Sequence, residues 1–446
     1  MQRNRRRVSL ALLLTLCLVT GWVLSGIGVR DLHAETDATY QELELFTDVL
    51  AIVRRSYVEE VPMKELMYGA IDGMLATLDP HTSFMPPELY KEMKIETKGE
   101  FAGLGIEVTT RDAIITVVTP IEDTPAFRVG MQAGDKILRI DDRFTRDLDI
   151  AEAVKLMRGE KGSTVTLTVM REGFEKPREF VLVREVIKVK SVKAKTLEDG
   201  FGYVRVTQFQ ERTAEDLDVA LGKIAKENGT VVKGLVLDLR NNPGGLLDQA
   251  VRVSDLFLSS GLIVYTEGRE EGSQMKFSAH QKGTEPSYPM VVLINGGSAS
   301  AAEIVAGALQ DQGRAVVLGT QSFGKGSVQT IIPLSDDSGL RLTTARYFTP
   351  KGTSIQARGI VPDIVVNPVE FKELEEPGHY REKDLRHHFE GEGQPAERGR
   401  LAEPSLPPRK FNLEQADKSD YQLLRALDLL KGLELLKKLP PLPAAA

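Results

Sequence analysis

The sequence predicts an α/β protein, with a layered strand-and-helix core, a small β-domain before it, and helical segments at both ends. Three observations carry that prediction. Between Val186 and Val366 apolar strand-like runs alternate with helical stretches. Two of the strand-to-helix junctions, Asn242-Pro-Gly-Gly245 and Asn295-Gly-Gly-Ser298-Ala-Ser300, are built from small residues. From residue 97 to 187 the pattern is instead short strands broken by glycines. The 446-residue length calls for two or three domains. A composition of 41% hydrophobic and 27% charged residues is ordinary for a globular protein, so disorder is not the default.

Taken in order, residues 1–34 read as an export segment. Arg3, Arg5, Arg6 and Arg7 precede an uncharged apolar run from Val8 to Val29, with Ala34 following. A cleavable signal peptide and a retained membrane anchor both fit, and either puts the body beyond the inner membrane, in the periplasm or cell envelope. This segment carries +4, so the chain's net −7 leaves −11 on the remainder. No basic face is on offer, which argues against a nucleic-acid partner. Cys17, the only cysteine, lies in the apolar run, so the body has no thiol for a disulfide, a nucleophile or a thiolate metal site.

Residues 35–96 read as a helical segment: Leu43, Leu45, Val49, Leu50, Val53, Met67, Ile71 and Met74 recur at helical spacing, ending at the turn Leu78-Asp-Pro-His81. His81 reads as a turn or capping residue. Residues 97–187 follow, with Gly99-Glu-Phe-Ala-Gly103-Leu104-Gly105-Ile106, strand spacing at Val108, Ile114, Thr116 and Val118, and the downstream Pro125-Ala…Ala133-Gly-Asp-Lys-Ile137. A helix is expected at Ile150–Met157 and a closing strand at Thr164–Met170. Glycines at 103 and 105 let successive N–H groups converge on one point, a natural cradle for a terminal carboxylate. The unit resembles a PDZ domain. That resemblance implies an apolar C-terminal tail bound along Gly103, Leu104, Gly105 and Ile106. A separate expectation is that Arg158 couples occupancy to the unit's position, the alternative being a surface salt bridge.

Residues 188–368 form the core. Expected elements are a strand at Gly202–Val206, a helix at Thr213–Ala225 capped by Thr213, a strand at Val232–Leu239 and a helix at Leu246–Leu258. After these come a buried strand at Tyr288–Ile294, a helix from Ala301, and strands at Thr330–Leu334 and Leu340–Phe348. Residues 369–410 are charged and proline-containing, a solvated linker, where His387 and His388 lack fixed geometry for a metal. Residues 411–446 contain an amphipathic helix, Tyr421–Leu436, able to dock on the core or on another subunit.

The turn at 295–300 brings a hydroxyl, Ser298 or Ser300, from a strand end to a helix start, where unpaired N–H groups favour an oxyanion. Of six histidines only His81 and His280 fall in folded regions, and neither has a recognisable acid partner, so a Ser-His-Asp triad does not fit. A lysine made neutral by burial can replace the histidine. Lys325, between Gly324 and Gly326, is the best candidate, and Gln329 could hold its amine by hydrogen bonding. The competing view of Gly324-Lys325-Gly326 is a surface turn with a solvated lysine.

Four segments resemble, in order and spacing, the carboxy-terminal processing proteases: Ala70-Ile-Asp-Gly-Met-Leu…Leu78-Asp-Pro-His81, Asp238-Leu-Arg-Asn-Asn-Pro-Gly-Gly245, Gly297-Ser-Ala-Ser-Ala-Ala-Glu-Ile304 and Phe323-Gly-Lys-Gly-Ser-Val-Gln329. The likeness runs from about Leu43 to Val366. It implies Ser300 as nucleophile, Lys325 as general base and Gln329 as its orienting residue, on the ββα-repeat core shared with the Clp protease and crotonase enzymes. Ala302 stands where the family usually has serine, which leaves that trio intact. Expected oxyanion donors are the N–H of Ala301 and that of Gly244 or Gly245. Glu303 and Asp311 are expected to bond turns around the site, although the family's aspartate at position 311 is sometimes counted in the charge relay.

The reading is an envelope serine endopeptidase, needing no cofactor or metal, that takes unfolded or tagged substrates by apolar C-termini. Alternatives are an inactive PDZ scaffold on a protease-like core, disfavoured by the joint presence of Ser300, Lys325 and Gln329, and a crotonase-like acyl-CoA enzyme, disfavoured by the export segment. The flanking helices offer two apolar surfaces that suit a homodimer, and a regulatory adaptor is a further candidate partner.

Overall fold

A computed structural model describes residues 40–111, 114–121, 123–198, 200–229, 232–369, 386, 388 and 413–437. The export segment and nearly all of the linker lie outside these residues. Among the described residues no helix is long and apolar enough to cross a membrane.

The chain forms two units, divided between Leu78 and Asp79. The first contains a helix over residues 40–56 and a second, Met63–Ala76. The expected helical stretch is thus interrupted. Pro62, extended at ψ 134°, starts the second helix, because proline can open a helix but not continue one.

The second unit begins with a strand the sequence reading missed. Ser83–Met85, just past the turn Leu78-Asp-Pro-His81, pairs antiparallel with the long strand Gly339–Phe348, Ser83 opposite Arg341. The helix Pro87–Lys98 follows, opened by a proline and closed by Gly99 at φ 71°. The β-domain comes next. Its sheet runs in the order Ile106–Arg111, Ile114–Pro120, Lys136–Ile140, Thr164–Met170, Arg178–Val183. Helix Ile150–Met157, capped reciprocally by Asp149 and Glu152, closes over a core that includes Ile115, Ile137, Leu167 and Leu182.

The core is a six-stranded sheet: Val192–Glu198, Phe201–Val206, Gly234–Asp238, Met290–Ile294, Val316–Gly319, Ile364–Val365. Only its first pair is antiparallel. The central strands are buried on both faces, so their sequences are continuous apolar runs. Helices Thr213–Glu227, Leu247–Asp255 and Ala301–Asp311 cover one face. The C-terminal helix Tyr421–Leu436 covers the other, seating Leu423, Ala426, Leu427 and Leu430 against Val236, Val291, Leu293 and Leu318. Its apolar stripe is therefore filled by the core. Arg240 binds it in place, donating to Asp238, Asp420 and the Gln422 side chain.

Thr213 is not the cap of its helix. It occupies the first helical position, and its hydroxyl accepts from the Gln210 N–H at 2.8 Å, bracing the approach to the helix instead. The strand expected at Thr330–Leu334 begins earlier, at Ser327, which places Gln329 in a strand opposite Thr343.

Candidate active site

Parallel pairing of Gly234–Asp238 with Met290–Ile294 sets their two following turns side by side. Four bonds join them. The Asn241 N–H donates to Asn295 Oδ1 at 2.9 Å, and Asn295 Nδ2 returns a bond to Asn241 Oδ1 at 2.9 Å. The Ala299 N–H donates to the Asn242 carbonyl at 2.9 Å, and Ser298 Oγ donates to the Leu239 carbonyl at 2.8 Å.

The two serines of the second turn have different surroundings. Ser298 is fully buried, and its hydroxyl both donates to Leu239 and accepts from the Asn295 N–H at 3.0 Å. That oxygen is committed to holding the turn. Ser300 is half-buried and sits at the start of helix Ala301–Asp311 with φ 54° and ψ −112°. Such a conformation in a residue with a Cβ costs about 1–3 kcal/mol and persists only when neighbours impose it.

Glu303 imposes it. This fully buried carboxylate accepts four hydrogen bonds: Oε2 from the Ser300 N–H at 2.7 Å and the Lys325 N–H at 2.9 Å, Oε1 from the Gly324 N–H at 2.7 Å and from Ser322 Oγ at 2.5 Å. A buried carboxylate is tolerable only when so satisfied. One side chain thus clamps the backbones of positions 300 and 325 together, and the Phe323 N–H adds a bond to the Ser298 carbonyl at 3.0 Å. Glu303 was expected to bond turns around the site, and the turns it joins are distant in sequence, Lys325 lying 22 residues on.

Lys325 is half-buried, and the surface-turn view of Gly324-Lys325-Gly326 does not hold. Both glycines are buried, and the Gly326 N–H donates to Gln356 Oε1 at 3.0 Å. Burial pushes the Lys325 pKa below its ordinary value, Arg341 pushes the same way, and Asp79 opposes them. Gln329 Nε2 donates to Ser327 Oγ at 2.9 Å and Thr343 Oγ1 at 3.3 Å. Among the described residues no side-chain hydrogen bond joins Lys325 to Ser300 or to Gln329.

Of the expected oxyanion donors, the Ala301 N–H has no partner among the described residues. The Gly244 N–H is taken by Asn242 Oδ1 at 2.9 Å, whereas that of Gly245, which is exposed, has no partner among the described residues. Gly245 has φ +137°, and a Cβ there would lie 2.1 Å from the Phe209 carbonyl oxygen, so only glycine fits. Asp311 ends the helix that Ser300 begins, about 15 Å further along. Its carboxylate accepts from the Lys351 N–H at 2.9 Å.

In the β-domain, Gly103, Leu104, Gly105, Ile106, Val154 and Arg158 line a groove of about 210 Å³. The N–H groups of Leu104 and Gly105, between two strands, have no partner among the described residues. Gly105 has φ +75°, and a Cβ there would strike Thr124. The Arg158 guanidinium lies 5.0 Å from the Phe101 ring centroid, with its Nε buried and without a hydrogen bond.

Sequence reasoning did not find the surroundings of the lysine. Asp79 and His81 are within its electrostatic reach, and Asn242, Ser322 and Gln356 fix the two loops. The one available signal was the segment Leu78-Asp-Pro-His81, which belonged to the matching motifs. Among the described residues no group of three or more His, Cys, Asp or Glu side chains could hold a metal ion.

Comparison with known proteins gives matches to peptidase family S41 over residues 200–366, to a PDZ domain over 102–180, and to an activating protease CtpB N-terminal domain over 25–88. A carboxy-terminal-processing protease of Bartonella bacilliformis is 48% identical over 398 residues, covering 88% of this chain and 89% of the relative. Carboxyl-terminal-processing protease of Synechocystis is 38% identical over 73% of this chain and 78% of its own, and CtpB of Bacillus subtilis 34% over 72% and 67%. A solved structure described as photosystem II D1 C-terminal processing protease is 33% identical, covers 71% of this chain and 86% of its own, and has a TM-score of 0.43. The chain belongs to peptidase family S41 and, within it, to the carboxy-terminal processing proteases, serine-type peptidases with a PDZ domain.

Proposed function

We propose that this protease works through a Ser300–Lys325 dyad and takes protein substrates by apolar C-terminal tails bound in the PDZ groove. The observation that carries the reading is the Glu303 carboxylate, which accepts from both the Ser300 and the Lys325 N–H. A buried charge spent on joining those two backbones makes sense where their side chains must meet.

The chemistry follows from the groups present. Neutral Lys325 Nζ takes the proton of Ser300 Oγ as that oxygen attacks the scissile carbonyl. The oxyanion is met by the N–H groups of Ala301 and Gly245 at the positive end of the helix. The lysine, now an ammonium, gives its proton to the leaving amine, and the acyl-enzyme forms. Water then repeats the sequence, its proton passing through Lys325, to release the new C-terminus and restore Ser300. Gln329 Oε1 accepts nothing among the described residues, so it can hold the ammonium between the two transfers. Leu104 and Gly105 would receive the tail's carboxylate. The arginine-led apolar N-terminus supports an envelope location.

The test is cleavage of an unfolded reporter with an apolar tail by the full chain. Ser300→Ala and Lys325→Ala should each lower kcat/KM by at least about 10³-fold while melting at the wild-type temperature. Chelators should have no effect. Equal cleavage by Ser300→Ala would overturn the assignment, and no cleavage by the wild type of any tailed substrate would favour the scaffold reading.

A further inference from the structure

The long strand Gly339–Phe348 brings two distant segments to the catalytic lysine. It pairs with Ser83–Met85 on one side and with Ser327–Pro333 on the other, so residues just before Ser83 arrive beside Thr343, which itself faces Gln329. Those residues form a closed turn. Asp79 Oδ1 accepts from the His81 N–H at 2.7 Å and the Thr82 N–H at 3.0 Å, and Oδ2 accepts from Thr82 Oγ1 at 2.7 Å. The buried Thr82 hydroxyl in turn accepts from the Thr343 N–H at 3.3 Å and lies 3.5 Å from Thr343 Oγ1. Thr343 Oγ1 accepts from Gln329 Nε2. A continuous set of contacts therefore runs from the Asp79 carboxylate to the Gln329 amide.

The charges in this corner are few and opposed. Asp79 favours the Lys325 ammonium and Arg341 disfavours it. His81 is itself held below its ordinary pKa by burial, then by Lys325, with Asp79 opposing and Arg341 adding, so it is neutral where a lysine base operates. The carboxylate of Glu303 meets the lysine at its N–H rather than its amine. Hydrogen bonds from Thr82 and from the His81 and Thr82 N–H groups outweigh burial and keep Asp79 ionised.

We propose that the turn Asp79–Thr82 is a positioning element of proton transfer: Asp79 is the counter-charge of Lys325, and Thr82, through Thr343, fixes the Gln329 amide so that its carbonyl is left for the lysine. The inference rests on the Ser-Lys reading and adds residues that touch neither substrate nor nucleophile. The lysine must be neutral to accept the serine proton and charged to deliver it. Asp79, in the turn before Ser83–Met85, and Arg341, in the strand Gly339–Phe348, set that balance in opposite directions.

The test is the pH dependence of kcat/KM for the full chain on the tailed reporter. Activity rises with pH as Lys325 loses its proton. Asp79→Asn keeps an oxygen to accept the turn's N–H groups but removes the charge, so the acid limb should move to lower pH and activity on that limb rise several-fold. Arg341→Gln should move the limb to higher pH. His81→Gln should leave it in place, and Thr82→Val should leave it in place while lowering the plateau. A purely structural role would lower the plateau in every variant without moving the limb. An unmoved limb in folded Asp79→Asn, or displacement in the same direction for Asp79→Asn and Arg341→Gln, overturns the proposal. Should Asp79→Asn fail to fold, Arg341→Gln decides alone, an unmoved limb counting against it. Activity retained by Lys325→Ala would instead sink the dyad itself, which keeps the two failures apart.

Discussion

The candidate active site and the PDZ groove each present backbone N–H groups without partners among the described residues, and they are built in opposite ways. At the candidate active site these donors are Ala301 and Gly245, and the turns beside them are tied down: Ser298 is buried and doubly committed, Asn241 and Asn295 bond reciprocally, and Glu303 accepts four bonds. At the PDZ groove the free donors are Leu104 and Gly105. Their surroundings are apolar side chains and one arginine resting on an aromatic ring. On the proposed mechanism the first arrangement would hold atoms fixed for a charge that develops during reaction. On the same proposal the second would offer a cradle that a peptide can enter and leave. A processing enzyme needs both, since rigidity serves the chemistry and reversibility serves capture.

The contrast breaks hardest at Glu303. Glu303→Gln keeps the shape but puts an NH2 where donors point, losing charge-assisted bonds worth about 1.5–3 kcal/mol each. We expect kcat to fall by about 10²-fold or more with KM little changed, in steady-state kinetics on a short peptide that bypasses the groove. A loss confined to melting temperature, with normal kcat in the folded fraction, would mean that the clamp serves stability alone. A smaller effect is expected at the other site. Arg158→Ala removes the guanidinium over Phe101 and should raise KM for the tailed reporter by about 10-fold while leaving the short peptide untouched. Tail-dependent rates equal to wild type would remove Arg158 from substrate coupling.

Much of this was legible in the sequence, for reasons that differ by element. Buried strands such as Met290–Ile294 declare themselves as apolar runs, and helix Ile150–Met157 carries its periodicity and its capping residues locally. A hydroxyl at a small-residue turn before a helix was legible, but the turn alone left Ser298 and Ser300 open; resemblance favoured Ser300, and only the fold shows that the Ser298 hydroxyl is already committed to the turn. What local pattern cannot encode is pairing at a distance. Ser83–Met85 is three residues long, and only its partner strand makes it a strand. The helix break at Pro62 and the early start of the strand at Ser327 were set by backbone geometry and register. Gly244 and Gly245 were indistinguishable until Asn242, two residues upstream, was seen to occupy the N–H of the first. Asp311 looked close to the site in sequence and lies at the other end of a helix.

The central claim is that a neutral amine at Lys325 activates Ser300, and the most direct measurement is the rate at which a phosphonofluoridate modifies the full chain. Mass spectrometry locates the adduct, and the pH is varied. The account predicts a single adduct on Ser300, formed faster as pH rises through one ionisation, with that pH dependence lost in Lys325→Ala. An adduct on Ser298, or a rate and pH profile unchanged in Lys325→Ala, would contradict it.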